Sequence, residues 1–143
     1  MEIKAKFFHE LTTTELYEIL KARSAIFVLE QNCVYQDMDD KDYASLHIFY
    51  EQNGQVVAYL RAFAKDADLV HMGRVLTVQR GTGLGGKILK EGIQQIQKRF
   101  APKQIYIEAQ SYVVGYYERE GFSVCSEEFL EDGIPHVQMI LNL

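Results

Sequence analysis

The sequence predicts an α/β fold built on a mixed, mainly antiparallel sheet flanked by helices, and three observations carry that prediction. Two β-rich runs meet at Asn53-Gly54, a residue pair suited to a tight hairpin turn. A glycine run, RGTGLGGKIL at residues 80–89, lies between a strand pattern and an amphipathic helix. Another strand pattern follows that helix, and a helical crossover makes the two flanking strands parallel.

Taken in order, EIKAKFF (2–8) reads as a short strand. Thr12 and Glu15 have the spacing of a capping box, in which side chains and backbone amides of the first helical turn satisfy each other. Beyond it Leu16, Ile19, Leu20, Arg23 and Phe27 mark one face of a helix ending near Leu29. Residues 30–44, EQNCVYQDMDDKDYA, are acidic, aperiodic and loop-like. The hairpin SLHIFYEQNGQVVAYLRAF follows, then a turn over Lys65–Asp68 and the strand LVHMGRVLTV. After the glycines, Leu84, Ile88, Leu89, Ile93, Ile96 and Phe100 form one apolar stripe of a helix that Pro102 ends. QIYIEA (104–109) reads as a buried strand, and YVVGYYERE as a short helix. GFSVCSEE and HVQMILN supply two closing strands, giving β-α-β-β-β-α-β-α-β-β.

With 143 residues the chain suits one domain with its own core. No apolar run reaches the roughly 20 residues of a membrane span, and the N-terminus has no cleavable signal pattern, so a cytoplasmic location is expected. Cys33 and Cys125 are too few for a disulfide framework, and no Cys/His spacing suggests a metal site. The net charge of -5 argues against broad nucleic-acid binding. It leaves an anionic small molecule open, because helix N-termini and local cations decide that contact.

Three phosphate-binding patterns overlap in the glycine run. As GxxxxGK, Gly81, Gly86 and Lys87 are followed by Ile88, where the NTPase loop needs a hydroxyl for magnesium. As GxGxxG, Gly81, Gly83 and Gly86 have Glu108 about 20 residues on, as a dinucleotide fingerprint requires. That fold opens with its glycine unit, however, whereas here a helix and an antiparallel run come first. As [Q/R]xxGxG, Arg80, Gly83 and Gly85 match a pattern that holds coenzyme A.

The third pattern brings in the rest of the chain. With the glycine loop and the later segment from Ala109 through YYEREGF, the sequence resembles the GNAT acyltransferase superfamily over essentially its full length. FVLEQNCVYQDMDDKD (27–42) and EEFLEDGIPHVQM (127–139) look like two signatures of its ElaA-like subfamily, with Val34 standing where that group usually has proline. The resemblance implies a sheet whose parallel pair, GRVLTV (73–78) and IYIEAQ (105–110), splays around coenzyme A. Val75, Leu76 and Thr77 would offer backbone groups to the pantetheine arm. Arg80, Gly81, Thr82, Gly83, Leu84, Gly85, Gly86 and Lys87 would hold the pyrophosphate, with a solvent-facing Lys87 as the alternative.

The activity implied is N-acetyl transfer from acetyl-coenzyme A to an amine, without a metal. Tyr117 is then the candidate acid for the leaving thiolate, and Tyr116 a packing residue. His136 is the candidate base, with Glu30, Glu108, His71 or a water chain as alternatives. Glu30, Gln31, Cys33, Tyr35 and Asp37, in the first signature, are candidate acceptor contacts. Asp37, Asp39, Asp40 and Asp42 read either as a solvated loop or as an acidic surface drawing a cationic acceptor, such as a polyamine-like amine or a lysine side chain. Cys33 reads either as a site-lining thiol or as an inert buried one. Two other functions stay open: a non-catalytic coenzyme A or acyl-coenzyme A sensor, and a dinucleotide-binding protein. The closing strands, by resemblance, suit a homodimer.

Overall fold

The computed structural model describes residues 1–143. An eight-stranded sheet runs in the order β1-β2-β3-β4-β5-β8-β6, with β7 paired to β8. Its strands are β1 (Glu2–Phe7), β2 (Leu46–Gln52), β3 (Gln55–Ala64), β4 (Leu69–Thr77), β5 (Gln104–Gln110), β6 (Ser123–Val124), β7 (Phe129–Glu131) and β8 (Ile134–Asn142). Every pairing is antiparallel except β4 with β5. The fold class is the one the sequence predicts. One strand more is present than expected: β7 forms a hairpin with β8 through Asp132 and Gly133, both at positive φ.

Two helices cover opposite faces. Helix α2 (Leu84–Phe100) buries Leu84, Ile88, Leu89 and Ile96 against Ile48, Leu60, Ile105 and Met139 of the sheet. Its mid-helix Gly92 has a packing cause, since a Cβ there would lie 2.5 Å from Leu60 Cδ2. Helix α1 (Thr13–Arg23) starts at the expected capping box: the Glu15 amide donates to Thr12 Oγ1 at 3.0 Å, and the Thr12 amide donates to Glu15 Oε1 at 2.8 Å. Ile19 packs it on Phe49 and Tyr59. The helix continues over Ser24–Glu30 with wider π-type turns, which carry the chain into the acidic loop. Helix α3 (Val114–Glu118) is a short connector after β5.

The acidic loop is tied down by arginines from three elements. Arg23, fully buried at the end of α1, donates from Nε to Asp37 Oδ2 at 2.9 Å and from Nη1 to Asp42 Oδ1 at 2.6 Å. Arg61 of β3 grips both carboxylate oxygens of Asp39, at 2.7 and 2.6 Å, and also donates to Asp42 at 2.9 Å. Arg74 of β4 donates from Nε to Asp37 Oδ1 at 2.8 Å and from Nη2 to the Asp37 carbonyl at 3.0 Å. The expectation of an open acidic surface is therefore corrected for Asp37, Asp39 and Asp42, whose charges are matched inside the fold. Asp40 alone of the four is exposed without such a partner.

Burial works against the charged forms of Asp39 and Asp42, but the arginines outweigh it and hold both carboxyls well below the usual range. Glu15, between the Thr12 amide and Lys6 and Lys4, is likewise held down to about 2 despite burial. Such a group gives its full stabilisation above its unfolded pKa of about 4 and loses it as pH falls through the folded value. Urea titrations should show a stability plateau above about pH 5 that falls steadily toward pH 2. Replacing Arg23 by Ala leaves Asp37 only Arg74 and Asp42 only Arg61, empties a fully buried site, and should cost about 3–5 kcal/mol at pH 7. An unchanged urea midpoint would show that the network is not what holds the loop.

Candidate active site

The parallel ladder between β4 and β5 is short. It pairs Leu69 with Gln104, Val70 with Ile105 and His71 with Tyr106, and then stops. Just beyond it β4 bulges: Tyr59 of β3 faces Leu76, while Arg61 faces Gly73, so two steps on β3 answer three on β4. The extra residue falls at Arg74–Val75, and Arg74 takes a left-handed φ of 54°. A non-glycine residue there costs on the order of 1–3 kcal/mol, and it persists where surrounding contacts over-determine it. The two Asp37 bonds and Tyr35, whose ring lies 5.7 Å from the Arg74 guanidinium carbon, do so here. Tyr35 also donates to Asp37 Oδ1 at 3.0 Å, and burial pushes its hydroxyl up to about 12.

A cleft of about 880 Å³ occupies the gap between the splayed strands. One wall holds Val75, Leu76 and Thr77, whose β4 edge has lost its β5 partner. One end is the loop Arg80, Gly81, Thr82, Gly83, Leu84 and Gly85. Gly81 and Gly83 have φ near +75°, at +74° and +76°, and a Cβ on either would meet nothing within 4 Å, so the loop is an open backbone cradle. The first loop-to-helix backbone bond of α2 runs from Lys87 N–H to Gly83 O, leaving the preceding amides as helix-terminal donors. A helix start of this kind favours an anion.

The remaining sequence-predicted residues divide. Tyr117, His136, Gln31, Cys33 and Tyr35 line the cleft. Gly86, Lys87, Glu30 and Asp37 do not. Lys87 is exposed because it lies a turn into α2, past the loop. Glu30 forms an ion pair with Arg80, so its carboxylate is engaged with the loop arginine. Asp37 is buried between Arg23 and Arg74 and has no free face for a ligand. Cys33 is half-buried, with Sγ 3.7 Å from the Asp132 carbonyl oxygen.

Tyr117 packs edge-on against Phe122 and Tyr116, and burial, then Tyr116, push its hydroxyl well above the ordinary value. It therefore stays protonated across the neutral range. Tyr116 reaches the helix start, with its hydroxyl over Gly85. His136 is 8% exposed and stacks on Phe129. Its Nδ1 donates to the Ile134 carbonyl at 2.6 Å, which turns Nε2 toward Glu131 at 3.6 Å. Burial and then the neighbouring Glu108 carboxylate push the Glu131 carboxyl up. Glu131, Arg74 and Tyr106 line the cleft but do not stand out in the sequence. The hairpin signal Asp132-Gly133 was the cue that places Glu131, and the other two are set by register.

Residues 13–143 match the family model described as Acetyltransferase (GNAT) domain. A UPF0039 protein of Schizosaccharomyces pombe is 35% identical over 147 aligned residues, covering 100% of this chain and 98% of that protein. Protein ElaA of Escherichia coli is 37% identical over 136 residues, covering 91% and 89% of the two chains. Among solved structures, an acyl-CoA N-acyltransferase from Pseudomonas aeruginosa superposes with a TM-score of 0.93 at 33% identity, covering 99% of each chain.

The contact between Gly85 and Tyr116 gives a test in which two effects oppose. Helix propensity alone would make Gly85→Ala stabilising by about 1 kcal/mol. The new Cβ would instead lie 1.6 Å from the Tyr116 hydroxyl oxygen. Overpacking should win, with a net loss of about 1–3 kcal/mol in urea denaturation. Adding Tyr116→Phe, which removes the nearest atom, should restore part of it. A stabilised Gly85→Ala protein would mean that Tyr116 does not rest on the helix start.

Proposed function

This chain belongs to the GNAT acetyltransferase family, and from that premise we propose that it transfers the acetyl group of acetyl-coenzyme A directly to a primary amine. The observation that carries the reading is the opening of the sheet after His71 and Tyr106, beside an open glycine cradle and with Tyr117 on the lining. The P. aeruginosa relative, named an acyl-CoA N-acyltransferase, supports the same chemistry.

The residues present fit such a co-substrate. The amides of Gly81 to Gly85 and Arg80 would hold the pyrophosphate, the latter by exchanging Glu30 for phosphate oxygens. The free β4 edge from Val75 to Thr77 would receive the extended pantetheine arm. Backbone groups at the Arg74–Val75 bulge would lie beside the thioester oxygen, where preorganised donors stabilise the gathering charge. Acetyl-coenzyme A supplies the thioester, whose C–S bond breaks as the amine nitrogen forms its C–N bond.

An alkylammonium must lose two protons on its way to the amide, because its pKa is about 10. His136 takes one of them at Nε2, the ring nitrogen left without a hydrogen bond. Tyr117 returns one proton to the thiolate sulfur, and its raised pKa keeps that proton available at neutral pH. The amine's second proton restores the Tyr117 hydroxyl, so the net reaction releases one proton and gives an N-alkylacetamide and free coenzyme A from acetyl-coenzyme A and the alkylammonium.

Replacing Tyr117 by Phe should cut kcat about 100-fold and leave the dissociation constant of coenzyme A unchanged in calorimetry. Unaltered turnover across pH 6 to 9 (roughly the range in which amine and thiol titrate) would remove Tyr117 from the acid role. Amine-dependent release of free thiol by the native protein tests the activity itself. Tight coenzyme A binding without such release, over a broad amine panel, would make the chain a coenzyme A-binding module.

A further inference from the structure

The α1 side of the sheet carries a row of rings across three strands. Phe63 of β3 is the register partner of His71 of β4, and His71 is the partner of Tyr106 of β5. Their centroids lie 5.3 Å and 4.5 Å apart, and all three are half-buried and line the cleft. Burial, then Lys65, push the His71 pKa down, so its ring is a neutral part of this floor. Two residues beyond Tyr106 on the same face is Glu108, which accepts the Tyr106 hydroxyl at 3.1 Å. In the parallel register Glu108 is level with Gly73, the residue before the β4 bulge, and so stands beside the place where a thioester would lie.

Glu108 and Glu131 differ from the aspartates of the neighbouring loop in having no Lys or Arg partner. His136, more than nine-tenths buried, has an Nε2 that makes no hydrogen bond and faces Glu131 within the cleft lining. At the other end of the floor, Lys41 lies over the Phe63 ring at 5.5 Å, and Arg61 lies at 5.8 Å. The floor therefore runs from Lys41, which has no carboxylate partner, to an anionic end, with rings between.

We propose that this floor is the acceptor subsite and that its substrate is a primary amine bearing a single cationic nitrogen and an aromatic ring. The proposal rests on the acetyl-transfer reading above. The ammonium sits between Glu108 and Glu131, next to His136 Nε2 and the bulge. The ring stacks over His71 and Tyr106. Polyamines fit poorly, because a second ammonium extended along the floor would meet the unpaired Lys41. A plain alkylamine would satisfy the carboxylates and leave the rings without a stacking partner.

The test compares 2-phenylethylamine, butylamine and spermidine with the native protein and the variants Tyr106→Ala and Glu108→Gln. With acetyl-coenzyme A, 2-phenylethylamine should exceed the other two in kcat/KM by about 10-fold, the value of one good aromatic contact. Tyr106→Ala, which also frees the Glu108 carboxylate, should bring the ratio of the 2-phenylethylamine to the butylamine kcat/KM down to about 1. Glu108→Gln should raise KM for both monoamines. A second measurement needs no turnover and no variant: without acetyl-coenzyme A, 2-phenylethylamine should shift the imidazole NMR signals of His71, and butylamine should not. Equal use of butylamine or spermidine, or His71 signals that ignore 2-phenylethylamine, overturns the proposal. Shifted His71 signals with no thiol release from any amine would instead overturn acetyl transfer and leave the subsite standing.

Discussion

The clasp of Asp37 on Arg74 is the contact on which the rest of this structure turns. A β-strand that stayed in register beyond His71 would continue its ladder with β5 and close the sheet. The left-handed Arg74 prevents this, and a long side chain does not hold that conformation unaided. Asp37 fixes the guanidinium through both its carboxylate and its carbonyl oxygen. Asp37 is itself held from the other side by Arg23, at the end of α1. A single chain of bonds thus runs from the first helix, through the loop, to the bulge that opens the sheet.

This wiring also redistributes charge. The loop is the most acidic stretch of the sequence, yet Asp37, Asp39 and Asp42 face three arginines, and little of their field reaches the cleft. The negative charge that does reach it comes from Glu108 on β5 and from Glu131 and Asp132 on the β7–β8 hairpin. A cleft that takes an anionic group at a helix N-terminus needs the opposite sign elsewhere if it is also to take a cation. On the proposed reading, separating the two by the width of the splayed strands would let both be bound without neutralising each other.

Local features were legible in the sequence because their causes are local. The Thr12–Glu15 cap, the Asn53-Gly54 turn, the apolar stripe of α2 and the glycine cradle each follow from residues within a few positions of one another. The sign of the loop was equally plain, but its meaning was not. Whether an aspartate is solvated or paired depends on arginines at 23, 61 and 74, which register and helix direction bring together. The same holds for Glu30, read as a possible base and found on Arg80, and for the ring row, which needs β3, β4 and β5 aligned. The π-type turns after Arg23 leave no clear mark either, since their apolar residues suit an ordinary helix. The β7 strand is different, because Asp132-Gly133 is a readable hairpin turn and its three-residue strand was simply too short to register as a pattern.

The tyrosine pair shows why neighbouring residues of one type can have separate roles. Tyr116 and Tyr117 lie on the same short helix, yet they leave it in different directions, with their rings edge to face. Tyr116 spends its hydroxyl against the start of α2, where only a glycine leaves room for it. Its ring thereby rests α3 on the start of α2. Tyr117, backed by Phe122, keeps its hydroxyl among the cleft residues and keeps its proton because the surroundings disfavour a phenolate. On the proposed reading, Tyr116 sets the position of the acid relative to the cofactor phosphate, and Tyr117 carries the proton. The glycine that makes the cradle and the glycine that seats Tyr116 belong to one loop, so cofactor grip and acid placement are two consequences of the same backbone.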